Sequence, residues 1–169
     1  MTGFARFFIP VLMAFSASVA TAQQIEQPQD TVLLTISGEV SVTNADDTAL
    51  FDLAMLEALD QHVTDVETPW HDGPQQFTGP RIIDLLNAVG AAGSELRFVA
   101  INDYAANMPW GDIEAFDVIL ATRQNGETMS VRDKGPLFVI YPFNQNPELR
   151  NEVYYGRSVW QVKEIQVLP

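Results

Sequence analysis

Histidine is the side chain most suited to proton transfer near neutral pH, and this sequence has two, His62 and His71. His71 stands between Trp70 and Asp72 in a proline- and glycine-rich stretch, where it is a candidate ligand or proton shuttle. His62 lies at an expected strand start and reads as structural. Cysteine is absent, so neither a thiolate nucleophile nor a thiolate metal ligand is available. Asp46-Asp47 is an acidic pair on an expected turn; a metal wants a larger cluster of His, Asp or Glu, and a solvated pair is the simpler reading. There is no G-x-G-x-x-G, phosphate loop, G-x-S-x-G or H-E-x-x-H. No catalytic residue and no metal ligand is assigned.

Binding chemistry is better represented. Acidic side chains number 22 against 9 basic ones, for a net charge of −13. Such a chain is repelled by nucleic acid and by anionic membrane. Against that background Arg132, Lys134 and Arg157 are informative. They are suited either to capture carbonyl, hydroxyl or anionic groups of a ligand, or to pair with Glu127, Asp133 or Glu148. Gly135, before Pro136, and Gly156 would allow close backbone approach, or are ordinary turns. Ser158 offers a hydroxyl. Asp103, in Asn102-Asp103-Tyr104, is a candidate ligand carboxylate or an Asx turn. Trp70, Trp110 and Trp160 offer flat faces for stacking, or belong to the core.

The elements that must position these residues are mostly strands. Thr31–Ser37 and Leu96–Ile101 are β-branched or apolar and read as strands, as does Val63–Glu67. Tyr104–Met108 returns after the Asn102-Asp103 turn. Val118–Arg123 and Glu127–Val131 flank Asn125-Gly126, a strong hairpin signal. Leu137–Tyr141 is apolar throughout and should be buried. Ser158–Val167 alternates, placing Val159, Gln161, Lys163, Ile165 and Val167 on one side and Trp160, Val162, Glu164 and Gln166 on the other. Helices are expected over Thr48–Leu59, with Thr48 as cap, from Pro80-Arg81 to Gly90, and over Asn146–Tyr154. Pro69–Pro80 should be a long loop. Strands not strictly alternating with two or three helices predict a mixed α+β domain.

The N-terminus has the pattern of an export signal. Arg6 precedes the short apolar run Phe7–Phe15, and Ala20-Thr21-Ala22 supplies a cleavage site. The run is shorter than the roughly 20 residues a membrane helix needs. Removal of residues 1–22, which contain Arg6 and no acid, takes the net charge from −13 to −14. Residues 23–30 read as a flexible polar lead and 31–169 as one domain in the periplasm, with no membrane insertion.

Three segments in order resemble the oxidoreductase molybdopterin-binding domain, the fold of sulfite oxidase. Phe77-Thr-Gly-Pro-Arg-Ile-Ile-Asp-Leu-Leu86 resembles the family's W-x-G-V-P-L-x-x-L-L; Asp133-Lys-Gly-Pro-Leu-Phe138 is similar to its G-x-P-L-R strand; Tyr155-Gly-Arg-Ser-Val-Trp-Gln-Val-Lys-Glu-Ile165 is similar to its Y-G-x-K-S-V-K-W-I-x-x-I. The family's metal-ligating cysteine falls at Thr64 or Asp65 here. Phe138 stands in place of an arginine and Trp160 in place of a lysine.

The resemblance implies a sulfite-oxidase-type α+β fold with mixed sheets and a pterin pocket that has lost its grip on molybdenum and on a pterin phosphate. It is similar to cysteine-less periplasmic members that bind a free pterin, without metal or turnover, and signal through the sensory domain of a membrane protein. The implied pocket residues are Trp70, Asn102, Asp103, Tyr104, Arg132, Lys134, Gly135, Arg157, Ser158 and Trp160, with Asp103 pairing to the donor edge of the pterin ring. Two other outcomes stay open: an oxidoreductase holding molybdopterin without cysteine, and an interaction module whose pocket Trp160 fills.

Overall fold

A computed structural model describes residues 25–169, so the expected leader 1–22 lies outside the described residues. The first elements are β1 (Leu34–Gly38), β2 (Ala49–Phe51), α1 (Leu53–Glu57), β3 (Gln61–Glu67), β4 (Pro74–Pro80) and α2 (Ile82–Ala88). Next come β5 (Glu95–Ala100), β6 (Ala105–Pro109), α3 (Trp110–Ala115), β7 (Ile119–Ala121), β8 (Arg123–Gln124) and β9 (Glu127–Thr128). The chain ends with β10 (Phe138–Ile140), α4 (Glu152–Arg157) and β11 (Val162–Leu168). Single 3-10 turns occupy Val131–Asp133 and Pro147–Leu149.

The architecture is mixed α+β, consistent with the sulfite-oxidase-type domain. A five-stranded sheet runs β2-β1-β11-β5-β6, and a four-stranded sheet runs β3-β4-β8-β9. A pair, β10-β7, lies between them in the chain's packing, through an isolated bridge from Arg81 to Ile119 and another from Phe138 to Trp160. β1 and β11 are parallel; the other named pairs are antiparallel. The core gathers Leu34 and Ile36 of β1, Phe98 of β5 and Ile165 of β11, with Leu85 and Leu86 of α2; Phe77, Phe138 and Tyr141 are also fully buried. Removing such surface from water contributes about 25 cal/mol per Å², the main driving force for these sheets.

Several elements depart from the sequence expectation, each for a local reason. Only Leu53–Glu57 of the expected Thr48–Leu59 helix is helical, and its cap is Asp52, not Thr48. Ala49–Phe51 instead completes the sheet edge beside β1. The Asp52 carboxylate accepts from the Met55 amide at 2.9 Å and also from the amides of Gln29 and Asp30. Those last bonds tie down residues 25–30, expected as a flexible lead, and Ile25 packs on the core.

Half of the expected Pro69–Pro80 loop is strand β4. Pro74 and Pro80 fall at its two ends, leaving Gln75–Gly79 to run the ladder with β3. Gly79 is required there because an added Cβ would lie 2.1 Å from the Leu120 carbonyl oxygen. The expected Asn125-Gly126 hairpin forms, with positive φ of 51° and 84° that suit a tight turn. Its arms are short, because Ile119–Ala121 leaves to pair with β10.

The described residues form four α-helices where two or three were expected; α3 is the addition, begun by Trp110 directly after β6. The expected Asn146–Tyr154 helix breaks into a 3-10 turn and α4, because Asn151 leaves the helical path and its side chain caps α4 by accepting from the Val153 amide. The alternation over Ser158–Val167 slips. Gln161 has φ 56° and the β11–β5 register shifts between Val162 and Glu164, so Val162 joins Val159, Ile165 and Val167 in the core.

Candidate functional site

The β5–β6 turn, helix α4 and the loop holding Trp70 enclose a cleft of about 380 Å³. It is lined by Trp70, Ala100, Asn102 and Tyr104, and by Glu152, Tyr155, Gly156, Ser158, Val159 and Trp160. Ligand pockets of about 300–1,000 Å³ are usual for small molecules.

Each wall follows from its local sequence. In the β5–β6 turn, Asn102 Oδ1 accepts from the Tyr104 amide at 3.1 Å, and Asp103 takes the left-handed φ of 63°. That Asx turn projects Tyr104 across the cleft, where its hydroxyl donates to the Gly156 carbonyl at 3.0 Å. In α4, Glu152, Tyr155 and Gly156 stand at i, i+3 and i+4 and so share one helix face. The Ser158 hydroxyl donates to the Tyr154 carbonyl at 2.9 Å and is nearly buried.

The third wall is aromatic. Half-buried Trp70 meets Trp160 edge to face, with centroids 5.7 Å apart, and meets Tyr155 at 5.8 Å. Both tryptophans rest on Phe138, at 5.6 and 6.1 Å. Such pairs contribute about 0.5–1.5 kcal/mol each beyond area burial. They fix the orientation of two indole faces while leaving the cleft beside them open.

Helix α4 is held by a charged latch. Asp112 of α3, 8% exposed, receives the Arg157 guanidinium at 2.8 Å and the Tyr141 hydroxyl at 2.7 Å on the same oxygen, Oδ2. Burial first, and the Asp112 carboxylate second, hold the Tyr141 phenol far above its ordinary range, so it remains a donor. The guanidinium also lies 5.3 Å from the Tyr154 ring centroid.

Of the ten residues implied by resemblance, the structure brings Trp70, Asn102, Tyr104, Ser158 and Trp160 to the cleft and leaves five outside its lining. Asp103 points to solvent, its side chain 84% exposed, and binds Lys163 at 2.7 Å; that hydrogen bond, then the lysine charge, holds its carboxyl below the ordinary range. Arg157 is occupied by Asp112, and Arg132 is exposed on the 3-10 turn. Lys134 ends that turn with φ 69°, its carbonyl accepting from the Gln161 amide. Gly135 packs against Met129, where a Cβ would lie 2.1 Å from a carbonyl oxygen. Trp110 opens α3 and does not line the cleft either.

Ala100 and Glu152 stand outside the candidates read from the sequence, while Tyr155 and Val159 belong to the Tyr155–Ile165 segment that resembles the family's without being singled out there. Glu152 and Tyr155 were open to inference from the Asn151 cap and helical spacing; Ala100 and Val159 carry no chemical signal of their own.

The charge balance of the cleft is one-sided. Glu152 is its one ionisable acid, and none of the eight described cations lines it. His71 is not in the lining; it shares a 2.7 Å hydrogen bond with Thr68 and packs 5.8 Å from Phe77. Burial, then the Lys134 charge, lowers its pKa.

These residues do not fit a molybdenum-bearing cofactor. No cysteine exists to supply the thiolate. At the positions the resemblance gives to that ligand, Thr64 is buried opposite Phe77, and Asp65 is exposed and accepts from Gln76 Nε2 at 3.1 Å. Neither reaches the cleft. Among the described residues no three His, Asp or Glu side chains gather as a metal site, and no helix is long and apolar enough to cross a membrane.

Comparison with known proteins finds a family match. The model of the oxidoreductase molybdopterin binding domain covers residues 24–146, most of the chain. A search of curated proteins finds no match. The matched span takes in Trp70, Ala100, Asn102 and Tyr104, while the other six lining residues follow it. With that coverage and a mixed α+β architecture around the cleft, the chain belongs to the oxidoreductase molybdopterin-binding domain family.

Proposed function

We propose that this domain holds a free pterin without molybdenum, and acts by reporting its occupancy to a partner rather than by turnover. The observation that carries the reading is the open cleft whose wall presents Trp70 and Trp160 at fixed angles, with Tyr104 and Tyr155 beside them. A bicyclic aromatic ring gains stacking of about 0.5–1.5 kcal/mol per aromatic contact there. The family's pterin chemistry and the absence of cysteine support a pterin that is bound without its metal. The space left beside half-buried Trp160 weighs against a pocket filled by that side chain.

The leader-like N-terminus supports action in the periplasm, and an acidic surface supports a protein partner, such as the sensory domain of a membrane signalling protein.

The test is acid extraction of protein purified from the periplasm, with fluorescence and metal analysis of the extract. A pterin in near one-to-one amount with no molybdenum is the expected result. An extract without pterin, together with no heat on titration with reduced pterins, would end the reading. Trp160→Ala sharpens it: the variant should stay folded, losing about 2 kcal/mol because this side chain is only half-buried, and should bind pterin at least tenfold more weakly.

A further inference from the structure

The charge of the cleft decides which members of a ligand class it can take. Molybdopterin and the pterin precursors made from nucleotides carry phosphate, and a bound phosphate requires cations or several aimed backbone donors. Here the lining holds no cation: Arg157 is committed to Asp112 and Lys163 to Asp103, and Arg132 and Lys134 stand on the 3-10 turn outside the lining. Two further donors in the lining are spent on backbone carbonyls, Tyr104 on Gly156 and Ser158 on Tyr154. The one formal charge facing the space is negative, Glu152 at the start of α4.

A carboxylate repels a phosphate and accepts from neutral donors. Adjacent N–H groups on a flat ring match its two oxygens with two charge-assisted hydrogen bonds. Among the described residues Glu152 makes no ion pair or side-chain hydrogen bond, in contrast to Asp103, Asp112 and Glu57. It is therefore available to a ligand.

We infer that the cleft selects phosphate-free, donor-edged heterocycles and rejects phosphorylated ones, with Glu152 reading the donor edge. The inference rests on the pterin reading above and narrows it. It separates this site from a family named for a phosphorylated cofactor. The selection comes from carboxylate placement and from arginine and lysine being neutralised outside the lining.

The test is calorimetric titration of the purified, ligand-stripped protein with dihydroneopterin and with dihydroneopterin triphosphate, at low and at raised ionic strength. The phosphate-free compound should bind at least tenfold more tightly, and the gap should shrink as salt screens the repulsion. Glu152→Gln should weaken the phosphate-free compound about tenfold or more and narrow the gap. Because Glu152 is exposed, this variant should fold as the parent does. Glu152→Lys should bring the triphosphate up to the affinity of the phosphate-free compound or beyond it. Equal or tighter binding of the triphosphate by the parent protein overturns the inference while leaving the pterin reading intact. Unchanged discrimination in both Glu152 variants overturns the role of that carboxylate. Failure of both compounds to bind removes the pterin reading and this inference together.

Discussion

Residues 24–146 and the arm that follows contribute differently to this molecule. The matched region supplies the turn and loop walls of the cleft, Trp70, Ala100, Asn102 and Tyr104. The arm supplies its carboxylate, its second tryptophan and its buried hydroxyl, Glu152, Trp160 and Ser158. Yet the arm is no appendage. β11 pairs with β1 on one side and β5 on the other, so the five-stranded sheet is closed by the last strand of the chain. The ligand-facing part and the sheet-closing part are one continuous segment, joined at Trp160 and the register shift that follows it. The cleft therefore shares its backbone with the strand that joins β1 to β5 in the sheet.

The largest effect should come from the point where the two regions meet. Phe138 is fully buried in the matched region, beneath Trp70 and beneath Trp160 of the arm. Phe138→Ala should destabilise the protein by about 4 kcal/mol, as large-to-small core changes do, visible as a lower denaturant midpoint with little change in slope. A variant losing less than about 1 kcal/mol would show that the regions are not packed through this ring.

Cutting the latch should have the next effect. Asp112→Ala leaves the Arg157 guanidinium and the Tyr141 hydroxyl without their shared acceptor. Breaking a largely buried pair in this way costs about 3 kcal/mol. It should also loosen α4, so amide exchange at Tyr155 and Gly156 should rise more than exchange in β5. Uniform exchange throughout would mean that the arm and the matched region unfold as one unit even when the latch is lost.

The smallest effect is a pH dependence confined to the matched region. The pKa of His71 is lowered by burial and then by Lys134, so the unfolded chain takes up this proton more readily than the folded one. The stabilising contribution of neutral His71 is complete above the unfolded value of about 6.5. It is lost as pH falls through the lower folded value. Nuclear magnetic resonance titration should place His71 below about 6.5, and His71→Gln should remove that part of the pH dependence of unfolding. A titration midpoint above 6.5 would contradict the burial of this ring.

How much of this was legible in the residues varies by element. The Asn125-Gly126 turn could be read because its two left-handed φ angles are a local demand that few residue pairs meet. Strand β4 could not, because three prolines and two glycines in Pro69–Pro80 signal a loop, and only pairing with β3 shows that two of the prolines cap a strand. Among candidate site residues, the aromatic Trp70 and Trp160 were visible as bulky apolar side chains beside polar turns. Asp103 was a reasonable carboxylate by type, yet Lys163, 60 positions away in sequence, occupies it.

By itself the sequence determined composition-level facts: the absence of thiolate, the acidic surface, the turn chemistry at Asn102 and Asn125, and the apolar pattern that must be buried. These depend on residue type and near neighbours, so they need no fold to be known. Only the tertiary structure decided which charges are spent and which remain. Arg157 meets Asp112, Lys163 meets Asp103, and Glu152 alone among the acids faces the cleft. An ion pair is a property of distance, and the partners here lie 45 and 60 positions apart in the chain.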